Sequence, residues 1–240
     1  MSVHFIRRGR RYALNEQSTA SSINPASYTS LVLWFKADSF SLATNTAISS
    51  WTDLSSYGNT ATQATSGKQP TYQTGIFGSM PGIRFTSASS QLMTLNTQLT
   101  LVNLTALVVF EAISPSSVSV LGSATAGLGL NIAFNGVNNI YIADGNGNHQ
   151  SNTFSTALSA AKMGTGIKQG SAMSFYENST SQGTSTGASS AFTVGEIGAT
   201  QTSFYLNGWI AEIAVFNTAL ASTDVSSLYT SYFKPRWSLP

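Results

Sequence analysis

The chain has 240 residues, of which 42% are hydrophobic and only 8% are charged, against about 25% charged residues in a typical domain. This length suits one all-β domain with a sizeable core, whose polar surface must be built mainly from uncharged side chains. The absence of cysteine excludes disulfide frameworks and thiolate metal sites. No run of about 18 apolar residues and no apolar signal segment occur, so we expect neither membrane spanning nor export through a signal peptide.

The formal net charge of +2 is concentrated at the N-terminus. Four of the eleven basic residues lie within the first eleven positions, which leaves seven bases against nine acids in the rest of the chain. This distribution indicates a local partner for the N-terminus and no specific nucleic-acid face on the body. We therefore expect a basic arm and linker over residues 1–27 and a domain over residues 28–240. The residues predicted to bind the partner are Val3, Phe5, Ile6, Arg7, Arg8, Arg10 and Arg11.

Two alternatives remain for this arm. Its apolar residues can add a strand to the sheet edge of a partner while its arginines meet acidic groups. A solvated tail is equally compatible with the sequence, because chain termini are mobile unless something holds them.

Short apolar or alternating runs predict strands along most of the chain. They cover residues 31–35, 83–85, 92–95, 104–111, 162–168, 173–176 and 192–195. Asn135 and Gly136, between two apolar runs, predict a hairpin turn. Residues 178–190 form a Ser/Thr/Gly tract, which predicts a flexible loop. Structural roles are expected for Asp38 and Asp53, because aspartate favours turns in which its carboxylate accepts backbone N–H bonds.

The longest apolar run, residues 207–216, predicts a central strand that is covered on both faces. Glu212 lies inside this run and must be hydrogen-bonded, paired with a base or aimed at a cleft, because burying a bare carboxylate costs several kcal/mol. Arg84 is the only arginine between Arg11 and Arg236, so we predict a structural pair of Glu212 with Arg84. The alternative for Arg84 is a surface position in which its stem covers apolar atoms.

The pattern after this strand changes to a helical period. Val225, Leu228, Tyr229 and Tyr232 share one helix face, which predicts a helix over residues 223–232. Pro235, which follows directly after the last turn of this pattern, predicts the end of the helix.

The segment from Gly208 to Val225 resembles the closing signature of the laminin-G-like branch of the concanavalin A-like lectin/glucanase domains. Further stretches agree with this family in the same order: Leu31 to Asp38, Trp51 to Ser55 with Gly58-Asn59, Pro81 to Phe85, and Phe192 to Gly195. The resemblance implies an all-β, two-sheet antiparallel jelly-roll sandwich with one short C-terminal helix. It does not choose a function, because this fold hosts lectins, hydrolases, adhesion modules and viral structural proteins.

The sequence gives little indication of a catalytic arrangement of side chains. Glycoside hydrolysis needs two carboxyl groups about 5 to 10 Å apart, and Glu212 stands alone on its strand, with Glu196 on another strand as the remaining candidate partner. The two histidines, His4 and His149, lie in the arm and in a Gly/Asn stretch, where neither has a scaffold for general-base work. We therefore expect a protein that is not an enzyme and that has no catalytic residue.

A metal or cofactor is not indicated either. Asp144, Asn146 and Asn148 match the first half of a calcium loop, but His149 and Ser155 stand where that loop has a glycine and a bidentate glutamate. We expect a plain Gly/Asn loop here, no metal and no cofactor.

A carbohydrate site would need exposed aromatic rings beside polar groups. The candidates for contact with a sugar are Tyr57, Tyr72, Tyr141, Tyr205 and Trp237. Aromatic side chains in a sandwich are more often part of the core, so a purely structural role is the alternative for each.

The surface composition and the missing export signal together indicate a function. A Ser/Thr/Asn-rich surface without an export signal suits proteins that are released by lysis, so we expect a non-enzymatic virion structural protein. It would be a capsid decoration or fibre protein of a bacteriophage, located on the virion surface, attached to other virion subunits through its arm and able to form a homo-oligomer. The alternative is a lectin-like carbohydrate-binding module, by itself or as the part of a virion that recognises a host surface.

Overall fold

The fold is known from a computed structural model that describes residues 23–113, 118–123, 131–134, 139–143, 149–153, 159–187 and 191–240. For residues 131–153 the description covers the backbone of three strands only. The predicted arm, the Asn135-Gly136 turn, the side chain of Tyr141 and the Asp144 loop lie outside the described residues. The division between arm and domain at residue 28 stays a prediction.

Seventeen strands are defined in the described part of the chain. In chain order they are β1 (Leu31–Lys36), β2 (Thr46–Ala47), β3 (Ser50–Trp51), β4 (Ala61–Thr62), β5 (Thr71–Phe77), β6 (Met80–Phe85), β7 (Met93–Leu101), β8 (Leu104–Ala112), β9 (Val118–Gly122), β10 (Asn131–Phe134), β11 (Asn139–Ala143), β12 (His149–Thr153), β13 (Lys162–Gln169), β14 (Ala172–Glu177), β15 (Thr180–Thr186), β16 (Phe192–Ile197) and β17 (Gly208–Phe216). They form two antiparallel sheets, which confirms the predicted jelly-roll sandwich.

The first sheet has the order β15-β14-β13-β8-β17-β6-β5-β2. Strand β17 lies at its centre, as the long apolar run predicts. One side of β17 pairs with β8 along its whole length. The other side is shared, because β6 pairs with Gly208 to Ile210 and β1 pairs with residues 212–216.

The second sheet has the order β12-β11-β10-β9-β16-β7-β4-β3. Its short strands β3 and β4 extend β7 at one edge. Phe35 of the first sheet packs against Trp51 of the second sheet at a ring distance of 5.3 Å. Both side chains are fully buried, so the main core lies between the two sheets.

The C-terminal segment is helical from Ser222 to Trp237, and the expected end before Pro235 is wrong. An α-helical part, α1 (Ser222–Leu228), is followed by a π-helical turn over Tyr229–Phe233 and a second α-helical part, α2 (Lys234–Trp237). The wider π turn makes room for the proline ring, which in a regular α-helix clashes with the carbonyl four residues earlier. The extension brings Trp237 into the core.

The loop predicted for the Ser/Thr/Gly tract is wrong for residues 180–186, because Thr180–Thr186 forms strand β15 at the edge of the first sheet. Glu177 pairs with Thr180, so a two-residue turn connects β14 to β15. Asn178 in this turn has a φ of 57°, a left-handed conformation that asparagine tolerates well. Its side chain also accepts a hydrogen bond from Met163 N. Serine and threonine suit such a strand because it faces water at a sheet edge.

Candidate functional site

A shallow groove beside Tyr57 is the best candidate site in the described part of the chain. Its volume is about 230 Å³, and it lies between the turn after β3 and strand β7. We call this site the Tyr57 groove. Its lining residues are Tyr57, Gly58, Asn59, Asn96, Thr97 and Leu99. Tyr57 is 59% exposed, and every lining residue is uncharged. The groove therefore offers an aromatic face together with amide and hydroxyl groups.

Asp53 fixes the loop that carries Tyr57. This residue is 5% exposed, and its Oδ1 atom accepts hydrogen bonds from Trp34 N at 2.8 Å and Ser55 N at 2.9 Å. Its Oδ2 atom accepts bonds from Ser55 Oγ and Asn59 N, both at 2.8 Å. Ser55 Oγ in turn accepts a bond from Tyr57 N. The structural role predicted for Asp53 in this turn is confirmed, and it holds the loop against β1.

Asn59 attaches the same loop to β7. Its Nδ2 atom donates to Thr97 O at 2.5 Å, and its Oδ1 atom accepts from Thr97 N at 2.9 Å. This pair of bonds imitates a backbone pairing between strands. Because the loop is fixed at Asp53 and again at Asn59, the groove is largely preformed, as small-molecule sites usually are.

A second shallow pocket is lined by the preceding residues of the same loop. We call it the Tyr28 pocket, and its volume is about 250 Å³. Its lining residues are Ala26, Tyr28, Thr29, Leu31, Leu54, Ser55 and Ser56. The Tyr28 ring contacts Phe216 edge to face at 5.6 Å, and its hydroxyl donates to Asp224 Oδ1 at 3.2 Å. Burial and Asp224 raise the pKa of Tyr28 to about 12.

Three other aromatic residues that were predicted to contact a sugar do not line either pocket. Trp237 and Tyr72 are buried in the core, so they cannot contact a ligand and their assignment is wrong. Tyr205 is partly exposed and donates its hydroxyl to Thr202 O, away from the residues that line either pocket. Tyr28 was not among the predicted contacts, because a tyrosine at the edge of a Ser/Asn-rich segment has no pattern that separates a binding role from a packing role.

Glu212 is fully buried under the C-terminal helix. Its Oε1 atom accepts hydrogen bonds from Trp34 Nε1 at 2.6 Å and Tyr232 OH at 3.0 Å. Its Oε2 atom accepts from Trp237 Nε1 at 2.6 Å, and Arg236 Nε lies 3.7 Å from it. These donors satisfy the buried carboxyl group, as the need for partners predicted.

The predicted partner of Glu212 is nevertheless wrong. Arg84 lies opposite Trp209 in the pairing of β6 with β17, and its guanidinium stands over the Trp209 ring at 4.8 Å. It donates to Gly208 O at 3.1 Å and to Asn207 Oδ1 at 2.6 Å. The pairing of β6 with β17 ends at Ile210, before the chain reaches Glu212. The cation beside Glu212 is therefore Arg236, which also pairs with Asp38.

The burial of Glu212 gives a testable dependence of stability on pH. Burial raises the pKa of this carboxyl from 4.5 to about 7, against the opposing effect of its hydrogen bonds and of Arg236. A raised pKa in the folded state means that the folded protein holds this proton more tightly than the unfolded chain does. The resulting stabilisation is complete below pH 4.5 and is lost as the pH rises through 7.

We expect the free energy of unfolding to fall by up to about 3 kcal/mol over this pH window through Glu212 alone. Urea denaturation at a series of pH values measures it. The variant Glu212→Gln cannot titrate and is the control. A wild-type profile parallel to that of the variant would contradict the assigned pKa.

A catalytic pair of Glu212 with Glu196 is not supported. Glu212 belongs to β17 in the first sheet, whereas Glu196 belongs to β16 in the second. Glu196 is 1% exposed, and its carboxylate accepts a hydrogen bond from Thr202 N. Burial raises the pKa of Glu196. Among the described residues the two carboxyl groups share no hydrogen-bonding partner.

Metal and membrane sites are the remaining possibilities. The described residues contain no group of three or more histidine or acidic side chains that could hold a metal ion. None of the helices in this part of the chain is long and apolar enough to cross a membrane.

The fold has counterparts among solved structures. Domain 4 of AbnA, a GH43 extracellular arabinanase from Geobacillus stearothermophilus solved in complex with arabinotriose, aligns with a TM-score of 0.63 and 12% identity over 83% of this chain and 98% of that domain. The binding domain of Paraclostridial Mosquitocidal Protein 1 gives a TM-score of 0.56 and 13% identity over 85% of this chain and 52% of that one. The receptor-binding domain of botulinum neurotoxin type G gives 0.56 and 14% over 84% and 51%.

These similarities show a shared jelly-roll fold. The chain spans almost all of the AbnA domain but about half the length of the two toxin domains. No protein-family model matches the sequence, and no curated protein matches it. At 12 to 14% identity, the similar structures define the architecture, while the role of each residue must be argued from this chain.

Proposed function

We propose that this protein is a carbohydrate-binding module and that its ligand lies in the Tyr57 groove. The observation that carries the proposal is the exposed Tyr57 ring, which stands beside amide and hydroxyl groups on a loop held by two buried polar residues. A tyrosine ring supplies a large apolar surface at low entropic cost. Asn96 and Thr97, both exposed, supply donors and acceptors for hydroxyl groups.

The chemistry of the groove favours a sugar over a charged ligand. Its lining residues carry no charge, so nothing in it compensates the charge of a phosphate or an ammonium group. A sugar ring has an apolar face and a rim of hydroxyl groups, which match an aromatic ring with neighbouring amide groups. The alignment with a domain solved in complex with arabinotriose supports the same class of ligand.

The substitution Tyr57→Ala tests this proposal. We expect it to weaken oligosaccharide binding by at least about tenfold, since the loss of one stacking ring removes about 1.5 kcal/mol or more. The ligand is first chosen on a glycan array that includes arabino-oligosaccharides, and binding is then measured by isothermal titration calorimetry.

Phe204→Ala is the matched control, because Phe204 is also an exposed aromatic residue, at 49%, but it does not line the groove. We expect wild-type affinity for this variant. Equal affinities of the Tyr57→Ala protein and the wild type would refute the groove as the binding site, and an array without any binding would refute the function.

A second proposal concerns the place of the module. The cluster of four arginines before a slightly acidic body supports attachment of the chain through residues 1–12 to acidic surface on a larger assembly, which we propose to be a virion. On such a particle, the groove would serve recognition of a host surface.

Deletion of residues 2–12 tests this attachment. The deletion should abolish binding to virus particles in a co-sedimentation assay and leave the affinity for oligosaccharides unchanged. Particle binding that survives the deletion would contradict the attachment.

A further inference from the structure

We infer that the ligand is a linear oligosaccharide of several units that fills the Tyr57 groove and the Tyr28 pocket together, passing over the loop that lines both. This inference rests on the proposed function and specifies its ligand. It assigns a second subsite to residues that lie outside the Tyr57 groove.

The two pockets are neighbours because consecutive residues of one loop line them. Leu54, Ser55 and Ser56 face the Tyr28 pocket, and the next residues, Tyr57 and Gly58, face the Tyr57 groove. Three residue steps span at most about 11 Å, so the backbones of Leu54 and Tyr57 cannot lie further apart than this. Ser56 is exposed, so the part of the loop between the two sets of lining residues is accessible to a ligand.

The two pockets share a tyrosine, uncharged polar side chains and leucine. Each contains one tyrosine, with Asn96 and Thr97 beside Tyr57 and with Thr29 and Ser56 beside Tyr28. Their volumes, about 230 and 250 Å³, are almost equal. Two uncharged pockets of similar size, each with one tyrosine and neighbouring polar groups, suit a ligand made of repeated units.

The distance between the pockets is fixed by the fold. Asp53 binds the loop at Ser55 and Asn59, while Phe216 and Asp224 orient the Tyr28 ring. Two subsites held in a fixed relation favour one chain that occupies both, because the second contact is then intramolecular. Leu54, which is 39% exposed, adds apolar surface to this loop.

The test measures affinity as a function of chain length. Isothermal titration calorimetry is carried out with linear arabino-oligosaccharides from the disaccharide to the hexasaccharide, and with the corresponding series of any other glycan selected on the array. We expect wild-type affinity to rise by about tenfold or more once the chain is long enough to reach both pockets, and to stay constant beyond that length.

Three variants assign the gain to a pocket. Thr29→Trp places a bulky side chain in the Tyr28 pocket and should remove the gain with length while leaving the affinity for the shortest ligand unchanged. Asn96→Trp obstructs the Tyr57 groove and should weaken every ligand. Thr52→Trp is the matched control, since Thr52 is exposed and lines neither pocket, and it should behave as wild type.

The outcomes separate the inference from the function on which it rests. Binding that is independent of chain length, but still weakened by Tyr57→Ala, overturns the second subsite and leaves the carbohydrate-binding function in place. A gain with length that survives Thr29→Trp also overturns it. If no glycan binds at all, the proposed function fails and the inference fails with it.

Discussion

Replacement of Glu212 by alanine should lower the free energy of unfolding by about 4 kcal/mol, because it leaves three largely buried donors without an acceptor, each at a cost of about 1 to 3 kcal/mol. These donors are the indole nitrogens of Trp34 and Trp237 and the hydroxyl of Tyr232. Trp34 belongs to β1, whereas Trp237 and Tyr232 belong to the C-terminal helix. The carboxyl group therefore joins the helix to the centre of the first sheet, and its loss should loosen the helix.

Chemical denaturation measures the change in stability, and a double-mutant cycle identifies the partner. Glu212→Ala and Trp237→Phe should be strongly coupled, because they remove two ends of one hydrogen bond. Glu212→Ala and Arg84→Ala should be additive within about 0.5 kcal/mol, because these residues share no partner in the described structure. Strong coupling with Arg84, or a Glu212→Ala protein as stable as the wild type, would contradict the structural role assigned to Glu212.

Replacement of Asp53 by alanine should have two effects, a loss of stability of about 3 kcal/mol and a loss of oligosaccharide binding. The stability falls because three backbone N–H groups and the Ser55 hydroxyl lose their acceptor, and stranded donors in a largely buried position are costly. Binding falls because the loop that carries Tyr57 is then held only at Asn59, so the ligand must bear the entropic cost of ordering it.

Asp53→Asn is the matched variant. It keeps one acceptor oxygen, so it should lose less stability and less affinity than Asp53→Ala. Thermal unfolding and calorimetric titration at one temperature well below both transitions give the two quantities separately. Unchanged affinity in a folded Asp53→Ala protein would show that the loop needs no support from this residue.

The architecture is predictable from the sequence where burial leaves a pattern. Strands β8, β13 and β17 are buried on both faces, and mainly apolar runs mark β8 and β17, whereas β13 also buries Lys162, Thr165 and Lys168. Strand β15 leaves no such pattern, because an exposed edge strand needs no apolar residue. The helical extension past Pro235 does leave a signal, namely the spacing of Tyr229, Phe233 and Trp237 by four residues, which places their side chains on one face.

The candidate site was predictable only in part. That Glu212 needs partners follows from its neighbours in sequence, whereas the identity of the partners depends on strand register and on the docking of a distant helix. Of the aromatic candidates, Tyr57 is exposed and Tyr72 is buried, although both stand among polar residues in the sequence. Their difference arises from tertiary packing, since Tyr72 contacts Phe40 at 6.2 Å, whereas Tyr57 lies on the exposed loop that Asp53 holds.

The position of a bound oligosaccharide tests the central claim most directly. A crystal structure of the protein with the tightest ligand from the array should show one sugar ring against the face of Tyr57, with hydroxyl groups within hydrogen-bonding distance of Asn96 or Thr97 and the chain continuing over Ser56 toward Tyr28. A ligand bound elsewhere on the surface, with the Tyr57 groove occupied by solvent alone, would contradict the account.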